Sequence, residues 1–338
     1  MVGALACLVA VVPRDTAEAL ARNLHAMLGF ALALLTLSSF GIVLSRTLEL
    51  NGGTWGTLWR DMRLALTVTH FGHVWWWRVP ALALLWLGWW VRMRHTRARW
   101  TGWPMLLAVA VIALTRSETG HPADHGDFTP AIWIDWLHLL AAGAWVGSLF
   151  GMVLAVFPRL LRADEKPPRQ AARIFQRLST LSGAALAVLV ACGIYSAVQQ
   201  LGGVSGLWTT RYGLNLDVKL ALVLAMILIG AHNRYVKLPR LLACAGLPGR
   251  PSMLARWLQR RNAGAPRPAA TGALRACARA VLVESLLGLA VIGATGALLH
   301  AMPPADARPM HELHASSSAN ARIATARQGF GIGPGAAR

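Results

Sequence analysis

The chain has 338 residues, of which 55% are hydrophobic and only 14% charged. A soluble domain carries about 25% charged residues, and here long apolar runs recur from end to end, which excludes an ordinary soluble enzyme. The formal net charge of +19 does not mark a nucleic-acid binder, because the Lys and Arg residues fall between apolar runs and not on one soluble face.

The expected fold is all-α: a polytopic membrane bundle of about eight spans. A β-barrel would show short alternating segments. Residues 1–12 are apolar but too short to cross about 30 Å of hydrocarbon, and are read as the remainder of a longer helix beginning upstream of Met1. The second span covers about Leu24–Leu44. A mixed segment, Arg46 to Gly72, follows, with Leu64–Thr69 read as re-entrant or interfacial. The third span, His73–Val91, carries Trp75, Trp76 and Trp77 at one end and Trp86, Trp89 and Trp90 near the other, like two interfacial belts. Arg78 and Lys219 are expected to snorkel from helix ends. The fourth span is about Gly102–Leu114, the fifth Ile132–Phe157, the sixth Leu178–Val198, the seventh Leu214–Tyr235 and the eighth Ala276–Leu299. The chain divides into an N-terminal membrane half (1–165), a second membrane domain (166–304) and a polar, disordered tail (305–338).

Loops 92–100, 158–177 and 236–275 are strongly basic and are expected in the cytoplasm, whereas 117–130 and 199–213 carry almost no basic residues and are expected outside. On that orientation His70, His73, His121, His125, His138, His300, His311 and His314 lie outside or in the outer half of the membrane. Only His25, His95 and His232 lie on the cytoplasmic side. The four Cys residues are widely spaced, without a C-x-x-C pair, and form no disulfide framework.

The run from Gly120 to Gly151 carries the chemistry. It opens with a His-rich loop and enters an apolar helix holding Asp135 and His138, three residues apart and so on one face. They sit roughly 6 and 10 Å below the outer end of that helix. Acid and imidazole are costly in hydrocarbon, and together they replace the water a metal cation loses. Asp217 in the seventh span lies at a similar depth, His73 heads the third span with His70 one turn earlier, and His300 closes the eighth. The expected metal ligands are therefore His70, His73, His121, His125, Asp135, His138, Asp217 and His300. The bland alternative is that Asp135 and His138 pair with each other and fix a helix interface. Toward the cytoplasm, His232 and Glu284 form a possible polar relay, with Arg279 as a structural partner for Glu284. There is no G-x-x-x-x-G-K-[ST] loop, so no nucleotide is expected.

Over about residues 170–304 the chain resembles the copper resistance protein D family (CopD, PcoD and the membrane half of YcnJ-type proteins). The resemblance rests on Phe175-Gln176-Arg177-Leu178-Ser179, Gly193, Thr209-Thr210-Arg211-Tyr212-Gly213 leading into Asp217-Val218-Lys219, Ala231-His232-Asn233-Arg234 with Leu238-Pro239, Glu284, and Met302-Pro303-Pro304. It extends to Asp135-Trp136-Leu137-His138-Leu139-Leu140 with Ala144-Trp145-Val146-Gly147, to Gly120-His121, and more loosely to Thr69-His70-Phe71-Gly72 with Trp75 and Arg78. It supports Lys219 more than Asp217, and the tail beyond Pro309 has no counterpart. The resemblance implies copper handling at a bacterial inner membrane, a periplasmic copper-binding partner of the CopC type, and movement of copper toward the cytoplasm rather than enzymatic chemistry. Two rivals remain: a b-type haem oxidoreductase with two axial imidazoles drawn from His25, His73, His138 and His232, and a copper-homeostasis scaffold that does not transport. Copper valence stays open, since His with carboxylate suits Cu(II) and Met with His suits Cu(I).

Overall fold

The structure, a computed structural model, describes residues 1–95, 99–120, 126–162, 168–201, 211–247, 257 and 270–299. The described residues are helical apart from short turns and connections, with no strand among them. The helices are α1 (Val2–Ala6), α2 (Arg14–Leu50), α3 (Leu58–Val68), α4 (His70–Trp76), α5 (Arg78–Arg94), α6 (Gly102–Ser117), α7 (Pro130–Gly151), α8 (Phe157–Arg162), α9 (Pro168–Leu201), α10 (Arg211–His232), α11 (Leu238–Cys244) and α12 (Ala270–Leu299). Among the described residues five stretches are long and apolar enough to cross a membrane: Leu20–Leu50, Pro130–Leu161, Arg169–Gln199, Gly213–Cys244 and Thr271–Gly296. Gly102–Ser117 and Val2–Val11 are shorter apolar helices. The chain is a multi-pass, all-α membrane protein.

Two helices run further than the expected spans. The α2 helix continues to Leu50, and α9 begins at Pro168, ten residues before the expected Leu178, so Arg169, Arg173 and Arg177 sit on helix and not in a loop. The extension is stabilised by packing: Ala171, Ala172, Ile174, Phe175 and Leu178 are buried, and Phe175 stacks on Phe157 with ring centroids 5.4 Å apart. The core that runs through the bundle thus reaches its basic end, where α11 packs on α9.

The segment before the third span resolves into two helices. Amphipathic α3 exposes Trp59, Leu64 and Val68, as an interfacial helix does. Thr69 is extended, and its hydroxyl accepts the Gly72 N–H at 3.1 Å, an N-cap that starts α4 at His70. The Trp belts are only partly belts. Trp76, Trp77, Trp86 and Trp90 are exposed, but Trp75 is buried and donates its indole N–H to the Ser39 carbonyl at 2.9 Å, and Trp89 donates to the His25 carbonyl at 3.0 Å. Arg78 does not snorkel either. It is 4% exposed, and its Nε donates to Thr115 Oγ1 at 2.7 Å, which ties α5 to α6.

Helix α7 is the hub, packing on α1, α6, α9 and α12, while α10 packs mainly on α12. Gly3 and Gly147 bring α1 and α7 backbone to backbone; a Cβ on either would collide with the other helix. Gly288 of α12 is the second notch: a Cβ there would lie 2.8 Å from Val146 of α7 and 3.6 Å from Met226 of α10. That notch fixes α7, α10 and α12 against one another. After α7 and α10 the helices pass through single π-turns, Met152–Val156 and Asn233–Lys237.

Candidate metal site

Polar groups collect at the end of the bundle that carries His70. His70 Nε2 lies 3.5 Å from Asp127 Oδ1, both side chains about half exposed. Glu118, the residue that closes α6, is 5% exposed. Its Oε1 accepts the Phe128 N–H at 3.3 Å, and its Oε2 is buried without a hydrogen bond. Phe128 has a φ of 56°, a left-handed conformation uncommon for a bulky residue, and this bond helps hold it. Burial pushes the Glu118 carboxyl above the ordinary carboxylate range. The Phe128 N–H opposes that, Asp127 adds to it, and His70 opposes it more weakly. His73 is exposed one turn along from His70.

Below this surface group lies the embedded one. Pro130 at the first turn starts α7 with no lost hydrogen bond. Trp136 donates its indole N–H to the Ala110 carbonyl at 2.8 Å, setting α7 against α6. In that register Ser117 Oγ donates to Asp135 Oδ2 at 2.7 Å. His138, one turn deeper, is half-buried, and its Nδ1 is buried with no hydrogen-bond partner among the described residues. Lys219 of α10 acts electrostatically on both Asp135 and His138, and Cys192 of α9 feels the Asp135 charge. So α6, α7, α9 and α10 each bring a polar or sulfur-bearing side chain to this level.

Helix arithmetic agrees. Asp135 is about three turns from Val146 on the same face of α7, and Lys219 about two turns from Met226 on the same face of α10. Val146 and Met226 both pack at Gly288 of α12, so both charged residues lie on the faces their helices turn toward that notch. Asp217, half-buried, is two residues from Lys219 and lies on the other side of α10.

Further toward the basic side, near the middle of α12, Glu284 is 4% exposed and accepts a hydrogen bond from Asn233 Nδ2, at the π-turn that follows α10. Asn233 Oδ1 has no hydrogen-bond partner. Among the described residues the hydrogen-bond donor that meets Glu284 is Asn233, and the neighbouring His232 is exposed.

His121, His125 and His300 lie outside the described residues. Among the described residues no three His, Cys, Asp or Glu side chains converge as a ready-made metal cage. His25 and His138 do not face each other either. Asn23, two residues before His25, donates to the Ala155 carbonyl at 3.1 Å, and Ala155 lies about 25 Å along the helix from His138. One haem does not bridge that span.

The fold and site define a multi-pass membrane protein with a carboxylate–imidazole group embedded near one end of its bundle. Two family matches then place it. Residues 172–298 match the family Copper resistance protein D, and residues 1–131 match the Copper resistance protein D-like N-terminal domain. The chain belongs to the copper resistance protein D family. It is similar to Inner membrane protein YebZ of Escherichia coli (strain K12), 29% identical over 203 residues, which are 57% of this chain and 66% of that protein. It is also similar to Copper transport protein CutJ of Bacillus subtilis (strain 168), 27% identical over 185 residues, 53% of this chain and 34% of that protein. The chain thus covers less than two thirds of either relative. No solved structure matches it. These relatives and the long apolar helices place the chain in the bacterial inner membrane as a multi-pass protein.

Sequence reasoning singled out Asp135, His138 and His70. It did not assign roles to Ser117, Cys192 or Lys219 in the embedded group, nor to Glu118 and Asp127 at the surface.

Proposed function

We propose that this copper-resistance protein carries copper across the inner membrane, from the periplasmic face toward the cytoplasm, and is a carrier rather than an enzyme. The observation that carries this reading is the vertical order of polar groups: a surface cluster of His70, Asp127 and Glu118 above an embedded Asp135/His138 pair within an apolar bundle. A transported cation loses water stepwise, and each layer offers oxygen and imidazole in exchange.

In this reading the His70 end faces the periplasm, as the basic loops require. His70, His73, His121 and His125 capture copper there, delivered by a periplasmic copper protein of the CopC type. Asp135 and His138 hold it inside the membrane, joined by His300, with Asp217 as a second carboxylate. The unpartnered His138 Nδ1 is a lone pair, or an N–H, left for a ligand. Toward the cytoplasm, Glu284 and His232 form an exit relay organised by Asn233.

The test is copper uptake into sealed proteoliposomes, with metal content and absorption spectrum of the purified protein. Copper near one per chain without a Soret band, and uptake abolished in Asp135→Asn and His138→Ala, is the expected result. Absence of flux in wild-type vesicles would leave a scaffold that binds copper without moving it.

A further inference from the structure

Among the described residues the Asp135 carboxylate accepts a hydrogen bond from Ser117, and Lys219, at a similar level on α10, is a cation whose charge acts on it. An isolated carboxylate in a membrane bundle is expensive, so a compensating positive charge is required whenever no metal is held. Lys219 supplies it across the α7–α10 gap without closing: the described ion pairs within 4 Å are Arg46–Glu49 and His70–Asp127, both at the surface. α7 and α10 are spaced through α12, where the side chains of Val146 and Met226 both pack at Gly288. Measured outward from that contact, the Lys219 Cα is about 10 Å along and His138 about 12 Å along. A helix side chain leans toward its own N-terminus, which for α10 is the His70 end. The Lys219 stem therefore rises from the level of His138 toward that of Asp135, and further extension carries the ammonium on toward the surface.

We propose that Lys219 is a tethered counter-cation for the embedded site: it neutralises Asp135 when the site is empty and competes with copper for the carboxylate. This rests on the reading that Asp135 and His138 bind copper. A copper ion seated on Asp135 and His138 meets the ammonium as a like charge. Its arrival drives the lysine outward, and the return of the lysine helps expel the metal. Lys219 is thus a positioning residue that sets how weakly the site holds its cargo, as a carrier requires.

The experiment uses the full chain, purified in detergent and titrated with copper against a competing chelator, once with Cu(I) under reductant and once with Cu(II). Lys219→Met, which keeps length and removes charge, is expected to bind about tenfold tighter and release copper correspondingly more slowly in a chelator chase. Lys219→Arg, which forks onto the carboxylate, is expected to bind about tenfold weaker. Lys219→Gln, neutral and polar, gives the same reading as the Met variant should that one not fold. A purely structural lysine would weaken binding in every variant, and that result, or unchanged affinity in the neutral variants, overturns the proposal. Asp135→Asn and His138→Ala separate the two levels. If both bind copper as the wild type does, the embedded site itself is wrong; if they lose copper while neutral Lys219 variants bind normally, only the counter-cation is.

Discussion

Ser117, the last residue of α6, carries a hydroxyl that donates to the Asp135 carboxylate of α7 at 2.7 Å. The two residues flank the His-rich loop, so one hydrogen bond joins the ends of that loop and orients the embedded acid. Ser117 is itself fully buried. Hydrogen bonds to charged groups contribute about 1.5–3 kcal/mol, so Ser117→Ala is expected to lower stability by roughly that amount and to weaken copper binding severalfold. Thermal melting in detergent and a copper titration check both. An unchanged copper affinity would mean that the carboxylate orientation does not depend on Ser117.

Gly288 tests the scaffold without touching a ligand. A leucine there would overlap Val146 and Met226 and push α7 from α10, at a cost of about 1–3 kcal/mol. The expected outcome is a lower melting temperature together with altered copper affinity, because the spacing of Asp135 and Lys219 changes with the gap. Melting that falls while copper affinity stays fixed would separate the packing from the site.

The sequence made some of this legible and hid the rest for physical reasons. An acid and an imidazole one turn apart in an apolar helix stand out because hydrocarbon penalises both, so Asp135 and His138 were readable. The spans were readable for the same reason. Ser117 was not, since a serine at a helix end has no distinctive spacing. Lys219 passed for a snorkelling residue because its depth looked shallow; only the Gly288 junction shows which face of α10 it shares. Asp217 looked equivalent in depth, but depth says nothing about face, and two residues along a helix turn a side chain to the other side. The helical start of α9 was hidden by its arginines, whose charge suggested a loop while Ile174 and Phe175 packed a core beneath them.

Glu118 gives a pH dependence with a definite sign. Burial raises its carboxyl above the value it has in the unfolded chain. The folded protein therefore holds that proton more tightly, and the stability this group contributes is fully present below the ordinary carboxylate range and declines as pH rises through the elevated value. Against Glu118→Gln, which keeps the shape and cannot ionise, wild type should lose relative stability as pH rises from about 4 toward neutrality. Paired melting curves across that range check it, and parallel curves for the two proteins would contradict it.

The contact between Asn233 and Glu284 predicts a separation of binding from transport. Glu284 is buried toward the basic side and takes its hydrogen bond from an asparagine at a π-turn, a local widening of the helix that recurs at functional positions. Asn233→Ala leaves a buried carboxyl without its donor and is expected to cost about 1–3 kcal/mol, seen as a lower melting temperature. Glu284→Gln keeps a hydrogen-bonding group of the same size and is expected to melt close to wild type. Because Glu284 lies several turns inward of Asp135 along the bundle, copper titration of Glu284→Gln should match wild type. Uptake into proteoliposomes should nevertheless fall at least tenfold, since the exit side has lost its ionisable group. Wild-type uptake in Glu284→Gln would assign the pair to helix packing alone and leave release to groups nearer the basic loops.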